Sequence, residues 1–148
     1  MSILTDDMKR VVRQQRMGFI ATVCPDGSPN LSPKGTTSVW DDNHLVFADL
    51  GSPTTISNLS VNPRFELNVL DAFIRKGYRF KGTASLVTSG TIFEDIRAAY
   101  MSGSRGVHQS LLPTSRYVLL EIHEAVPVIS PAYTSDKTEG NMREQWIP

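Results

Sequence analysis

The chain has 148 residues, 40% hydrophobic and 20% charged, which suits one soluble domain with a core of its own. Its 15 basic and 15 acidic side chains cancel to a formal net charge of zero, which argues against a nucleic-acid or membrane-surface protein. The lone Cys24 excludes an intrachain disulfide and a cysteine zinc site, His44, His108 and His123 show no metal-ligand spacing, and no apolar run reaches the roughly 18–20 residues of a membrane span.

The N-terminus reads as polar and helical rather than as a signal segment, so the expected location is cytoplasmic. Residues 5–15 form an opening helix within an N-terminal segment 1–16: Asp6 and Asp7 suit the positive end of the helix dipole, and Met8, Val11 and Val12 make a narrow apolar stripe. Gly18 is expected to end it. A buried strand follows over 19–23. The run Cys24-Pro25-Asp26-Gly27-Ser28-Pro29 then reverses the chain into a Ser/Thr-rich second strand over 30–40. Asp41-Asp42-Asn43 makes the next turn and 44–48 the third strand.

Residues 50–59 form a turn that opens a short helix, with Ser52 as N-cap and Pro53 at the first helical position. Thr54 and Thr55 set two hydroxyls beside the free N–H groups of the first turn, a combination that suits a phosphate. A capped helix that binds nothing is the plainer alternative.

Asn62-Pro63 stops this helix, and 64–71 alternates as a fourth strand with Phe65, Leu67 and Val69 on one side. The fifth strand spans 78–87. Thr91 and Glu94 are spaced as a capping box for a helix to about Tyr100, with Ile92, Phe93, Ile96 and Ala99 as its buried face. Residues 101–113 read as an exposed Gly/Ser-rich loop: either merely mobile, or a lid carrying Arg105 and His108 to a cleft. The sixth strand covers 116–126, and 127–148 is a polar tail in which Trp146 is either exposed or laid over a partner subunit. Six strands at short spacing with helices in the connections predict one mainly β domain with α over 1–148, a six-stranded antiparallel barrel with short flanking helices.

Several pieces in this order resemble the FMN-binding split β-barrel family that includes pyridoxamine 5′-phosphate oxidase. They are Gly18-Phe19-Ile20-Ala21-Thr22-Val23 with Asp26-Gly27-Ser28-Pro29; Pro33-Lys34-Gly35-Thr36-Thr37-Ser38-Val39-Trp40; Phe47-Ala48-Asp49 before Gly51-Ser52-Pro53-Thr54-Thr55; Asn62-Pro63; and Lys76-Gly77-Tyr78-Arg79-Phe80-Lys81-Gly82-Thr83-Ala84. The resemblance runs from about Met17 to Tyr133. It implies a split β-barrel homodimer with FMN in a cleft between subunits. The phosphate would lie near Lys34 or Thr36, Ser52, Thr54 and Thr55. The ring would lie against Pro33, Lys34, Gly35, Thr36 and Ser38 and against Ala48, Asp49 and Leu50, with Gly77 and Tyr78 reaching it from the fifth strand.

Two departures separate the chain from the oxidases themselves. The basic pair of their phosphate turn is replaced by Thr54 and Thr55, which leaves Lys34, Arg79, Lys81 or another basic group to meet the phosphate. No counterpart of their longer C-terminal substrate segment is expected after Ser130-Pro131-Ala132-Tyr133. Arg79 and Lys81 share one face of a strand, which is either a ligand face or plain solvent surface. No nucleophile–base or carboxylate pair is evident, so any chemistry would reside at the flavin N5, with a reduced nicotinamide, NAD(P)H, as donor and an unidentified small acceptor. A carrier or redox sensor without turnover, a deazaflavin (F420) relative and, least fittingly, a haem-handling relative are the alternatives.

Overall fold

The computed structural model describes residues 2–104 and 114–147. The elements run α1 (Asp6–Gln15), β1 (Gly18–Val23), β2 (Pro29–Lys34), β3 (Ser38–Val39), β4 (His44–Ala48), α2 (Pro53–Val61), β5 (Arg64–Asp71), β6 (Lys76–Val87), α3 (Gly90–Ser102), β7 (Tyr117–Ile129) and α4 (Glu139–Trp146). All strand pairs are antiparallel, in a single curled sheet of order β2-β1-β5-β6-β7-β4-β3, a split-barrel architecture.

The described sheet has seven strands rather than six because the predicted second strand is broken. At 35–37 the Thr37 N–H and hydroxyl both donate to the Lys34 carbonyl, at 3.3 and 2.7 Å. This turn takes the chain off β1, so that β2 pairs with β1 and β3 with β4.

The apolar run Leu45-Val46-Phe47-Ala48 is buried on both faces of β4, as a continuous apolar strand should be. Leu45 and Phe47 enter the main core with Ile20, Leu67, Phe80 and the α1 stripe. Val46 and Ala48 face a second cluster under α3, with Trp40, Phe93, Ile96, Tyr100 and Tyr117. Burying a side chain such as Phe47 or Phe80, each 0% exposed, contributes about 1.5–3 kcal/mol.

Helix ends differ from the sequence reading at α1 and at α3. Thr5 caps α1 by accepting from Met8 N–H, but the helix ends at Arg16 in the left-handed region, and Gly18 already belongs to β1. At α3 the N-cap is Ser89, so Thr91 lies inside the first turn and the Thr91–Glu94 capping box does not form. Tyr100 joins its buried face, whereas Ile92 is an exposed residue. Residues 101 and 102 close α3 instead of opening a loop; Arg105 and His108, and with them the lid reading, lie outside the described residues.

The segment read as a polar tail is mostly ordered structure. β7 continues to Ile129, and α4 is closed at its start by a reciprocal cap between Thr138 and Asn141. Met142 on α4 is fully buried. Trp146 packs on the Arg75 guanidinium, 4.0 Å from its ring centroid, and Tyr133 donates to the Ile74 carbonyl at 2.5 Å, so the C-terminal segment holds the β5–β6 turn of its own chain. Among the described residues no helix is long and apolar enough to cross a membrane.

Candidate functional site

The end of β2, the end of β4 and the start of α2 meet at one place. Ser32 and Lys34, two residues apart on β2, share a face. The Lys34 ammonium donates to Ser32 Oγ at 2.6 Å and to Ser52 Oγ at 2.7 Å, and stands 5.7 Å from the Phe47 ring centroid. Ser52 is the α2 N-cap residue, but its hydroxyl makes no capping bond; it accepts from Lys34 instead.

Lys34 is only 5% exposed. Burial pushes its pKa below the ordinary lysine value, partly opposed by the Asp49 carboxylate. In the interval between that lowered value and 10.5 the unfolded chain binds the extra proton, so the Lys34 contribution makes stability rise with pH there. In denaturant titrations at neutral and alkaline pH, the protein should therefore gain stability relative to Lys34→Met as 10.5 is approached. A difference flat across that range would show a freely solvated ammonium.

The neighbouring segment is a rigid frame of hydroxyl–backbone bonds. Thr36 Oγ1 accepts from Ala48 N–H at 2.8 Å, and the Thr36 carbonyl accepts from Tyr100 Oη at 2.6 Å and Ser38 Oγ at 3.0 Å. Thr36 and Ser38 are both buried. Asp49 shapes the following turn: its Oδ1 accepts from Gly51 and Ser52 N–H at 3.1 and 3.0 Å, and its Oδ2 lies 3.6 Å from Arg116 Nη1. Beside this turn is a depression of about 390 Å³ lined by Asp49, Gly51, Ser52, Pro53, Ser57 and Arg116. Of the other sequence candidates, Pro33, Gly35, Leu50 and Thr54 are exposed and do not line it, and Thr55 is buried.

The remaining sequence candidates lie elsewhere on the protomer, because β1 and β5 separate β2 from β6 in the sheet. Gly77 pairs with the outward-facing Leu70, and Arg79 and Lys81 follow on that outer face. There Arg79 Nε meets Glu66 Oε1 at 2.9 Å and Lys81 Nζ lies 3.7 Å from Glu66 Oε2. Tyr78 turns inward, and its hydroxyl donates to Asp7 of α1, a bond that helps push its pKa up to about 12.

The sequence reading missed two features. One is Arg116, which nothing in its local sequence marks; its Nε is buried without a hydrogen-bond partner among the described residues. The other is a second depression of about 470 Å³ on the outer face, where Arg64, Lys81 and His123 stand with Glu66 and Glu124 beside Val23. It lies at the register shift between Lys81 and Gly82 on β6.

A family model described as pyridoxamine 5′-phosphate oxidase matches residues 4–126. The fold is similar to that of HupZ from Group A Streptococcus, 26% identical, with a TM-score of 0.74 over 90% of this chain and 100% of that one. It is also similar to an FMN-binding protein of Syntrophomonas wolfei, 17% identical, with a TM-score of 0.65 over 82% and 84% of the two chains. An F420 reductase, 18% identical, has the same fold with a TM-score of 0.62 over 82% and 98%. No curated protein matches the chain.

Proposed function

The chain belongs to the pyridoxamine 5′-phosphate oxidase family, and on that premise we propose that it is an FMN-dependent oxidoreductase, acting as a homodimer between a reduced nicotinamide and a small acceptor. The observation that carries this reading is the junction of β2, β4 and α2. A buried cation, the serine hydroxyls and a depression of about 390 Å³ meet there at the start of a helix, where an anion is favoured.

The residues present fit a phosphorylated flavin. The depression is at the small end of ligand sites, enough for the phosphate end of the cofactor. Hydroxyl–backbone bonds among Thr36, Ser38 and Ala48 tie the segment after β2 to the end of β4 beside this junction. FMN would supply hydride or electron transfer at its N5. The chain's own part is to hold and orient: Lys34 and the α2 start offset phosphate charge, and the buried 36–38 segment resists rearrangement.

A second subunit completes this reading, because Gly77, Arg79 and Lys81 lie apart from Lys34 within one protomer. The outer face that carries them also exposes Phe19, Val23, Leu31 and Leu70, an apolar stripe unusual for a free surface. Glu66, Arg79 and Lys81 place both charge signs beside that stripe, so a two-fold packing of the face on itself is self-complementary. Leu31, 67% exposed, can lose its side chain without opening the core. Leu31→Asp should therefore convert the dimer to a folded monomer in sedimentation. An unaltered dimer would place the interface elsewhere.

Turnover is tested by adding NADH or NADPH anaerobically to the FMN-loaded protein and then admitting acceptors. Bleaching of the flavin band followed by its return is expected. A band that persists through reductant addition would favour the carrier or sensor reading. F420 in place of FMN is the parallel arm, since the fold is shared with an F420 reductase.

A further inference from the structure

We propose that Arg116 is the cationic phosphate partner of this site and makes it selective for the phosphorylated flavin, the role left open by Thr54 and Thr55. This rests on the flavin reading above.

The other basic candidates are already engaged. Lys34 is 5% exposed, directs two of its three donors to Ser32 and Ser52, and lies behind Ser52 rather than in the wall of the depression. Arg79 and Lys81 share Glu66 on the outer face. Arg116 alone of these lines the depression beside α2.

Its backbone is fixed to the turn it serves: the Arg116 carbonyl accepts from Asp49 N–H at 3.0 Å and from Thr114 Oγ1 at 2.9 Å. Its side chain is less committed. Nη1 lies 3.6 Å from Asp49 Oδ2, longer than the roughly 2.7–2.9 Å of a charge-assisted hydrogen bond. The other Asp49 oxygen is occupied by Gly51 and Ser52 N–H. Nε is buried and has no acceptor among the described residues. The Arg116 side chain as a whole is 35% exposed and lines the depression, where a phosphate oxygen would meet its fork of donors. The planar fork of donors suits phosphate better than a point charge does, which is why one arginine can stand in for a basic pair. Asp49 acts as a positioning residue, holding the α2 start with one oxygen and steering Arg116 with the other.

The experiment compares FMN with riboflavin by calorimetric titration of the unaltered protein, Arg116→Gln and Arg116→Lys. FMN affinity should fall by about tenfold or more in Arg116→Gln, the scale of a lost hydrogen bond to a charged group, while riboflavin affinity stays unchanged. Arg116→Lys should fall between, because it keeps the charge and loses the fork. If Arg116→Gln does not fold, as judged by thermal unfolding, the lysine variant carries the same comparison, with a loss for FMN alone. Equal losses for FMN and riboflavin, or no loss for either, would overturn the assignment while leaving flavin binding intact. Failure of the unaltered protein to bind either flavin would overturn the flavin reading itself and this inference with it.

Discussion

Replacing Gly82 by alanine should abolish the fold or remove at least about 4 kcal/mol of stability, the range reserved for severe mechanisms. A Cβ at this position would fall 1.7 Å from the Glu121 carbonyl oxygen and 2.9 Å from its carbon. Both are backbone atoms of β7, so no flexible side chain can move aside. The cause is the irregular register: Lys81 pairs with Glu124 but Gly82 with Ile122, and the two backbones come close where His123 is left over. Gly77 is governed by the same constraint, since a Cβ there would stand 2.0 Å from the Val69 carbonyl oxygen and 2.7 Å from Leu70 Cα. Its lack of a side chain is therefore required by β5 whether or not a ligand lies over it. Urea unfolding of the flavin-free variants checks both. A midpoint for Gly82→Ala equal to that of the unaltered protein would show that β6 and β7 separate easily, contrary to their close backbone approach at this register shift.

Phe47→Ala should cost about 3–5 kcal/mol, the usual range for emptying a buried phenyl site. Phe47 is 0% exposed, lies in the main core from β4, and its ring sits under the Lys34 ammonium at 5.7 Å. The alanine variant thus combines a cavity with loss of the ring that faces a buried cation. Phe47→Leu separates the two effects: it retains most of the volume and should cost less than about 1.5 kcal/mol by packing alone. A leucine variant as unstable as the alanine variant would assign most of the cost to the ring–ammonium contact. Equilibrium denaturation with matched slopes reads both values.

Where the fold was legible in the sequence, the signal was local and apolar. Leu45-Val46-Phe47-Ala48 marked a strand buried on both sides, Asp26-Gly27 marked the first hairpin turn, and the alternation of Phe65, Leu67 and Val69 gave the correct inward face of β5. What was not legible depends on partners distant in sequence. The break at 35–37 looks like more of the same Ser/Thr-rich strand, and its Thr36 carbonyl is anchored by Tyr100, 64 residues away. Ser89 takes the N-cap position of α3 without a side-chain capping bond, so the Thr91–Glu94 spacing carried no information about where the helix starts. Helix α4 was missed because its starting signal is Thr138 with Asn141 rather than a glutamate, and because it is held by Met142 burial and by Trp146 on Arg75.

The site was partly legible for the same reason. The turn after β4 announces a helix start by its residues alone; of the candidates the resemblance named for the phosphate, Lys34 or Thr36 with Ser52, Thr54 and Thr55, the fold joins Lys34 to Ser52 at 2.7 Å. Ser52 is the N-cap residue as expected, but its hydroxyl is taken by that same lysine, 18 positions earlier, a partner no local pattern shows. Arg116 carries no local mark, because its position beside α2 arises only from the pairing of β7 with β4.

The central claim is flavin binding, and it is tested most directly by mixing the purified protein with FMN and recording visible absorbance across a gel-filtration column. Flavin bands are expected to co-elute with the protein at the volume of a dimer, with one FMN per subunit. Flavin that elutes entirely with the small molecules, even from a mixture with excess FMN, would contradict the claim.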